Sequence, residues 1–275
     1  MFGRRKIEYK TNSELRTMAR AGVVTSRALD AAVAATAPGV TTAELDAAFR
    51  AVLDEYGATS NFLGYYGFPA TICASPNDVV VHGIPGARRL EEGDIVSIDG
   101  GAVVEGWHGD SARTALIGPA SAADRELSEM TRAAMWHGIA AASRAQRVGE
   151  IGEAIEAFVR RESGETYGIV EDYVGHGIGS AMHMAPDVPN YSTREGGPRL
   201  RAGMALAIEP MLVTGSTETV VLEDDWTVKT VDGSHASQWE HSVAFHRDGI
   251  WVLTAEDGGA EELGKLGVKV SPIPA

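Results

Sequence analysis

Hydrophobic and polar positions along this chain fall into long segments opened by helix-capping signals and short apolar runs that read as strands. A helix is predicted over 12–37: Thr11-Asn12-Ser13-Glu14 has the form of a capping box, and Pro38-Gly39 supplies the stop. A second helix follows Thr41, again with a Glu three residues later, and runs to about Tyr56. Strands are expected over 71–117, helices near 123–145 and 149–163, and strands and loops from there to about 254. Residues 94–104 (DIVSIDGGAVV) and 107–117 (WHGDSARTALI) read as two strands joined at Glu105-Gly106. With those two residues as the loop, Asp110 lies opposite Gly101. Asp99, two residues from Gly101, then projects from the same face. Two aspartates so placed can share a metal. A pair of solvent-facing turn aspartates would read the same way, because Glu-Gly is a weaker hairpin signal than Asn-Gly.

The order of short words repeats. Residues 14–21 (ELRTMARA) are echoed by 126–133 (ELSEMTRA), His82-Gly83-Ile84 by His176-Gly177-Ile178, and 90–99 (LEEGDIVSID) by 200–209 (LRAGMALAIE). This predicts two similar α/β halves that pack together, each supplying an acid from a corresponding strand, Asp99 in one and Glu209 in the other. The expected organisation is a lead-in over 1–11, one unit over 12–254 with halves of about 12–118 and 121–254, and a peripheral tail over 255–275.

Composition narrows the function classes. The chain has 275 residues, 44% of them hydrophobic, enough for a large core or two fused half-domains. A single cysteine, Cys73, excludes an intrachain disulfide and fits a reducing compartment. Arg4, Arg5 and Lys6 are followed by polar residues, not by the apolar run of a signal peptide, and no stretch approaches a membrane span. A net charge of −14 argues against broad nucleic-acid binding.

Candidate chemistry lies in five dispersed residues among 38 acids and 8 histidines: Asp99, Asp110, His176 in VGHGIG, Glu209 in AIEPM and Glu240 in QWEH. Four carboxylates and an imidazole gathered in a fold would repel one another. Cations remove that penalty, and oxygens with one nitrogen suit Mn, Fe, Co or Zn. His82 and His183 lie near these motifs and could act on a substrate. Asn61 to Cys73 (NFLGYYGFPATIC) is unusually aromatic in a chain with 7% aromatics.

The motifs HGIP, D-x10-D, GHGIG, IEP and the late WEH resemble the type I methionine aminopeptidases, in their bacterial form without a zinc-binding N-terminal extension. The resemblance covers about residues 12–254. It implies the pita-bread fold, an α/β (α+β) arrangement of two pseudo-symmetric halves with antiparallel sheet. It also implies a two-metal hydrolase that removes the initiator methionine from nascent chains when the second residue is small. Carried over by motif, Asp99 binds one metal, His176 and Glu209 bind the other, and Asp110 and Glu240 bridge the pair. The resemblance makes a metal-activated hydroxide the nucleophile. Glu209 relays its proton to the leaving amine, His183 stabilises the developing oxyanion, and His82 contacts the new amine or the substrate backbone. Phe62, Tyr65, Phe68, Cys73 and Trp226 would line a tight pocket for the methionine side chain. Met182 stands where an aromatic is often found, and some members have Cys or Tyr where Phe62 and Phe68 stand. The implied partners are nascent N-termini, with transient ribosome proximity, no nucleic-acid specificity and no membrane, for a cytoplasmic monomer.

Three other readings share parts of this pattern. X-Pro aminopeptidases and prolidases carry the same five ligands but usually add a sizeable N-terminal domain. Type II methionine aminopeptidases insert a helical segment between the catalytic histidine and the third acid, for which the 183–209 interval leaves no room. Non-catalytic pita-bread proteins lose metal ligands, which here are all present. Because the family cleaves only before small residues, a chain that begins Met1-Phe2 is expected to keep its own Met1.

Overall fold

The computed structural model describes residues 6–275. The Met1-Phe2 expectation, Arg4 and Arg5, and the first five residues of the lead-in lie outside the described residues. Helix α1 (Asn12–Ala34) and helix α2 (Thr42–Tyr56) open with capping boxes at Thr11/Glu14 and Thr41/Glu44. In each, the threonine hydroxyl takes the Glu backbone N–H and the Glu carboxylate returns to the threonine N–H. Helix α1 stops three residues short of the predicted 37. Ala37 precedes Pro38 and is pushed out of the helical region, and the Thr36 hydroxyl closes the end by donating to the Val33 carbonyl at 2.8 Å.

The strands that follow are β1 (Thr59–Ser60), β2 (Ile72–Pro76), β3 (Val79–Val81), β4 (Ile95–Val104) and β5 (Trp107–Leu116). Helices α3 (Ala122–Ala142) and α4 (Gly149–Ser163) come next. Helix α3 ends three residues before the predicted 145, where the Ser143 hydroxyl donates to Ala140 O. Then come β6 (Gly168–Ile169), β7 (Gly175–Gly177), β8 (Met184–Val188), β9 (Ala205–Ile208) and β10 (Met211–Val213). The last strands are β11 (Thr219–Val221), β12 (Val228–Thr230), β13 (Ala236–Gln238), β14 (Glu240–His246) and β15 (Gly249–Val252), before the short α5 (Ala260–Lys265).

Among the described residues, nine strands form an antiparallel sheet in the order β1-β4-β5-β14-β9-β7-β8, with β2 added to β4 and β15 to β14. Strands β13-β10-β6 and β11-β12-β3 make two smaller sheets. The β4–β5 hairpin has the predicted register: Val104 pairs with Trp107 and Gly101 with Asp110. Glu105 and Gly106 both take positive φ, 50° and 80°, as a two-residue hairpin loop requires.

Helices cover one face of this sheet. One core joins α1 and α2 (Leu29, Phe49, Leu53) to β2, β4 and β5 (Ile72, Ile98, Ala115). A second joins α3 and α4 (Ile139, Ile151, Ile155) to β9 and β14 (Leu206, Ile208, Val243, Phe245). Contact with the first pair is close enough to demand glycine. A side chain at Gly109 would come within 2.8 Å of the Gly22 backbone nitrogen, and one at Gly100 within 2.8 Å of the Phe49 ring. The C-terminal segment and the described part of the lead-in pack against the fold. Leu263 of α5 is fully buried in the second core, with Leu266, Val268 and Val270 packed against it, and the Lys10 N–H donates to Gly203 O at 2.7 Å. Residues read as a peripheral tail thus help to close the core, and Ile7 of the lead-in packs against it. Among the described residues, no helix is long and apolar enough to cross a membrane.

Candidate metal centre and substrate cavity

Side chains alternate across a strand, so the glycines packed on the helices decide where the acids point. Gly100 and Gly109 face α2 and α1. Asp99 and Asp110, one residue away, therefore face the opposite side. The same logic holds in the other half. His241 pairs with Ile208, and both sit toward α3: Ile208 lies in the α3–α4 core and the His241 ring is 4.9 Å from Trp136. Their neighbours Glu240 and Glu209 are turned to the other face. Strand register completes the floor. Ala112 pairs with Asp99 on one side and Glu240 on the other, and Cys73 pairs with Asp99. Cys73, Asp99, Ala112 and Glu240 thus form one row across β2, β4, β5 and β14, with Asp110 two residues along β5.

His176 reaches this row from β7. Its Nδ1 lies 3.0 Å from the Gly177 carbonyl. A carbonyl only accepts, so Nδ1 carries the proton and Nε2 keeps its lone pair. That Nε2 is 3.6 Å from Glu209 Oε1 and 3.9 Å from Asp110 Oδ2. Ligand atoms of Asp110, His176 and Glu240 lie within 4.8 Å of one another, and all three residues are buried. Glu209 is steadied by Gln238, whose Nε2 donates to its Oε2 at 3.2 Å, and by Asn190, which donates to its backbone carbonyl.

The electrostatics of this group call for a cation. Burial, and then the charges of Asp99 and Glu209, push the Asp110 carboxyl well above the usual carboxylate range. Burial followed by neighbouring acids does the same to Glu240 and Glu209, and burial lifts Asp99 to about 7. Burial first, then repulsion from His183, lowers His176 to about 3 and leaves it a neutral imidazole. Asp99 Oδ1, Asp110 Oδ1 and Glu240 Oε1 are buried without a hydrogen-bond partner. Buried oxygens that converge without donors, beside an imidazole nitrogen whose other N–H is held by a backbone carbonyl, fit a divalent metal site.

Above this floor lies a cavity of about 300 Å³. The five acid and imidazole candidates line it, as do His82, His183, Phe62, Tyr65, Phe68, Cys73 and Trp226. Its wall is aromatic. Phe68 meets Trp226 edge-on at 5.0 Å and Phe62 edge-on at 6.3 Å. His82 sits in a left-handed conformation, φ 60°, with its ring 5.5 Å from Tyr173 and 6.2 Å from Trp226. Burial, then His183, lowers its pKa to about 4, so it too is neutral near pH 7. Burial and the nearby carboxylates hold the Cys73 thiol well above its ordinary value, which makes it a neutral wall group and a poor nucleophile. Tyr173, Val174, Met211, Tyr66 and Met182 complete the lining. Of these, the sequence singles out Met182 individually and holds Tyr66 within its aromatic stretch, whereas Tyr173 is not singled out. Tyr173 stands three residues before His176, a local cue that could have found it. Met211, two residues after Glu209 in AIEPM, carries a similar local cue.

Comparison with known proteins agrees with this geometry. The family model for metallopeptidase family M24 matches residues 16–230. Methionine aminopeptidase 1 of Mycobacterium tuberculosis is 52% identical over 256 residues, covering 92% of this chain and 96% of that protein. The crystal structure of methionine aminopeptidase from Thermotoga maritima superposes with a TM-score of 0.87 at 36% identity, over 91% of this chain and 100% of that one. Prolidase from Pyrococcus furiosus, at 22% identity and a TM-score of 0.72 over 90% of this chain and 65% of that one, shares the fold.

Proposed function

This chain belongs to metallopeptidase family M24, and we propose that it is a methionyl aminopeptidase that removes the initiator methionine from nascent polypeptides whose second residue is small. The observation that carries the reading is the junction of two unlike surfaces in one cavity: a buried carboxylate–imidazole floor and an aromatic wall.

Two divalent ions, drawn from Mn, Fe, Co or Zn, would be held by five residues: Asp99 on one, His176 and Glu209 on the other, with Asp110 and Glu240 between them. When bound, such ions supply the Lewis acidity that offsets the clustered charge and makes a water nucleophilic near neutral pH. Glu209 accepts the proton of the nucleophile and returns it to the leaving amine. Gln238 holds that carboxylate and Asn190 holds the Glu209 backbone for the transfer. His183 donates to the scissile carbonyl oxygen as charge develops there. His82, neutral and wedged between Tyr173 and Trp226, contacts the amine or the backbone of the substrate. Phe62, Tyr65, Phe68, Cys73 and Trp226 receive the methionine side chain, whose flexible thioether gains dispersion and sulfur–aromatic contact there. We read residues 12–254 as the catalytic unit, with halves of about 12–118 and 121–254. It works as a cytoplasmic monomer close to the ribosome, with neither nucleic acid nor membrane as a specific partner.

The test is hydrolysis of Met-Ala-Ser by chelated protein, with and without added Mn or Co, alongside Gly-Pro-Ala. Metal-dependent release of methionine with the proline peptide untouched is expected. Cleavage of the proline peptide alone would reassign the chain within the fold. Bound metal without cleavage of either peptide would overturn the assignment as an enzyme.

A further inference from the structure

Tyr65 enters the cavity as more than an apolar wall. It opens the short turn Tyr65–Gly67, 118 positions before His183, yet its phenolic oxygen lies 2.8 Å from His183 Nδ1. The two rings are 5.2 Å apart and tilted by 53°. On its other side Tyr65 is met edge-on at 4.7 Å by the ring of Tyr66. The Tyr66 backbone sits at φ 45° and ψ 28°, a left-handed conformation that a tyrosine rarely adopts. The ring of His176 lies 4.2 Å from that of His183, also edge-on. His183 is therefore bounded by a carboxylate-facing imidazole and by a hydroxyl-bearing ring that is itself braced by a strained neighbour.

A neutral imidazole has one N–H and one acceptor nitrogen, and the hydrogen bond at one nitrogen decides which is which. A phenol is a better donor than acceptor, since its oxygen lone pairs are partly drawn into the ring. The stable arrangement has the Tyr65 hydroxyl donating to Nδ1, which leaves the His183 proton on Nε2. We propose that Tyr65 is a positioning residue: its hydroxyl locks His183 in the Nε2–H tautomer, so that the imidazole meets the substrate as a hydrogen-bond donor. This rests on the reading of His183 as the donor to the scissile carbonyl. Without the hydroxyl this bond no longer favours the Nε2–H form, and the Nδ1–H form offers the substrate oxygen a lone pair where a donor is needed.

The decisive variant is Tyr65→Phe, which keeps the ring, the wall and the contact with Tyr66 and deletes only the O–H. Two readouts separate positioning from packing. The first is kinetic. With Met-Ala-Ser and saturating Mn, kcat should fall roughly tenfold while KM changes little. In a His183→Ala background the same change should have no further effect. A wall residue alone would leave kcat intact. The second is spectroscopic and independent of turnover: ¹⁵N NMR of the histidine side chains, at mildly alkaline pH, in metal-free and zinc-loaded protein. The wild type should show His183 protonated at Nε2 with Nδ1 unprotonated and hydrogen-bonded, and Tyr65→Phe should show a mixture of tautomers. A wild-type His183 protonated at Nδ1, or a tautomer state unmoved by Tyr65→Phe, overturns the proposal. Should the wild type fail to cleave Met-Ala-Ser at all, the assigned activity falls, and the NMR comparison still decides whether Tyr65 sets the tautomer.

Discussion

The floor and the wall of the cavity are built on different principles. The floor is sheet: Cys73, Asp99, Ala112 and Glu240 lie in one row because four neighbouring strands share a register, and glycines on the helix side leave the acids no other face. The wall is loop: Phe62, Tyr65, Tyr66 and Phe68 come from one irregular segment with a left-handed tyrosine in it, closed by Trp226 from the β11–β12 connection. Backbone pairing holds the floor rigid, so it can store the cost of buried, unpartnered carboxylate oxygens. The wall is held by ring-on-ring contacts, by turn hydrogen bonds within the segment such as Phe68 N–H to Tyr65 O, by the Ser60 hydroxyl accepting from Phe62 and Leu63 N–H, and by the Tyr65–His183 hydrogen bond. The five candidate metal ligands therefore stand mostly on paired strands, whereas the aromatic side chains, His82 and His183 stand on the connections between them.

Substitutions on each surface should separate these roles. The largest effect is expected from Glu240→Gln on the floor. Replacing one carboxylate oxygen should lower hydrolysis of Met-Ala-Ser by on the order of 10³-fold and reduce the metal retained after gel filtration, measured by elemental analysis. The same variant should melt no lower than the wild type in chelator, because a neutral amide replaces an acid whose buried charge is costly. A large drop in the chelated melting temperature would mean that Glu240 is part of the scaffold as well as the site. Next comes Phe68→Leu on the wall. Loss of ring contact with Trp226 and with the bound side chain should raise KM for methionine peptides about tenfold, with kcat and metal content unchanged. If metal content fell too, floor and wall would not be separable. The smallest effect is expected from Tyr66→Gly. The Tyr66 side chain is 84% exposed, so little packing is lost, while the left-handed backbone is relieved. Urea unfolding should show stability within about 1 kcal/mol of the wild type, on the stabilised side. A clear loss would show that the edge-on contact with Tyr65 outweighs the strain.

The floor was legible in advance because its determinants are local and periodic. Glu105-Gly106 sets the hairpin, period-two alternation then places Asp99 and Asp110 on one face, and the repeated L-x-x-G-to-acid words mark Asp99 and Glu209 as corresponding positions. Thr11/Glu14 and Thr41/Glu44 set the helix starts in the same local way. Helix ends were less legible. Pro38-Gly39 announces a stop, but it takes effect upstream, through the residue before proline and the Thr36 hydroxyl.

By itself the sequence determined which residue types would meet: four acids and an imidazole whose mutual repulsion calls for cations, two further histidines, and an aromatic segment beside them. Tertiary structure decided what those residues touch. Tyr65 became a hydrogen-bond partner of His183, the ring of His82 came to lie against that of Tyr173, and Leu263 buried a segment that reads as a tail. The reason is range. Capping, turns and strand alternation act over two to four residues and are written in adjacent letters. Contacts between residues a hundred or more positions apart depend on how whole elements pack, and no local pattern encodes that.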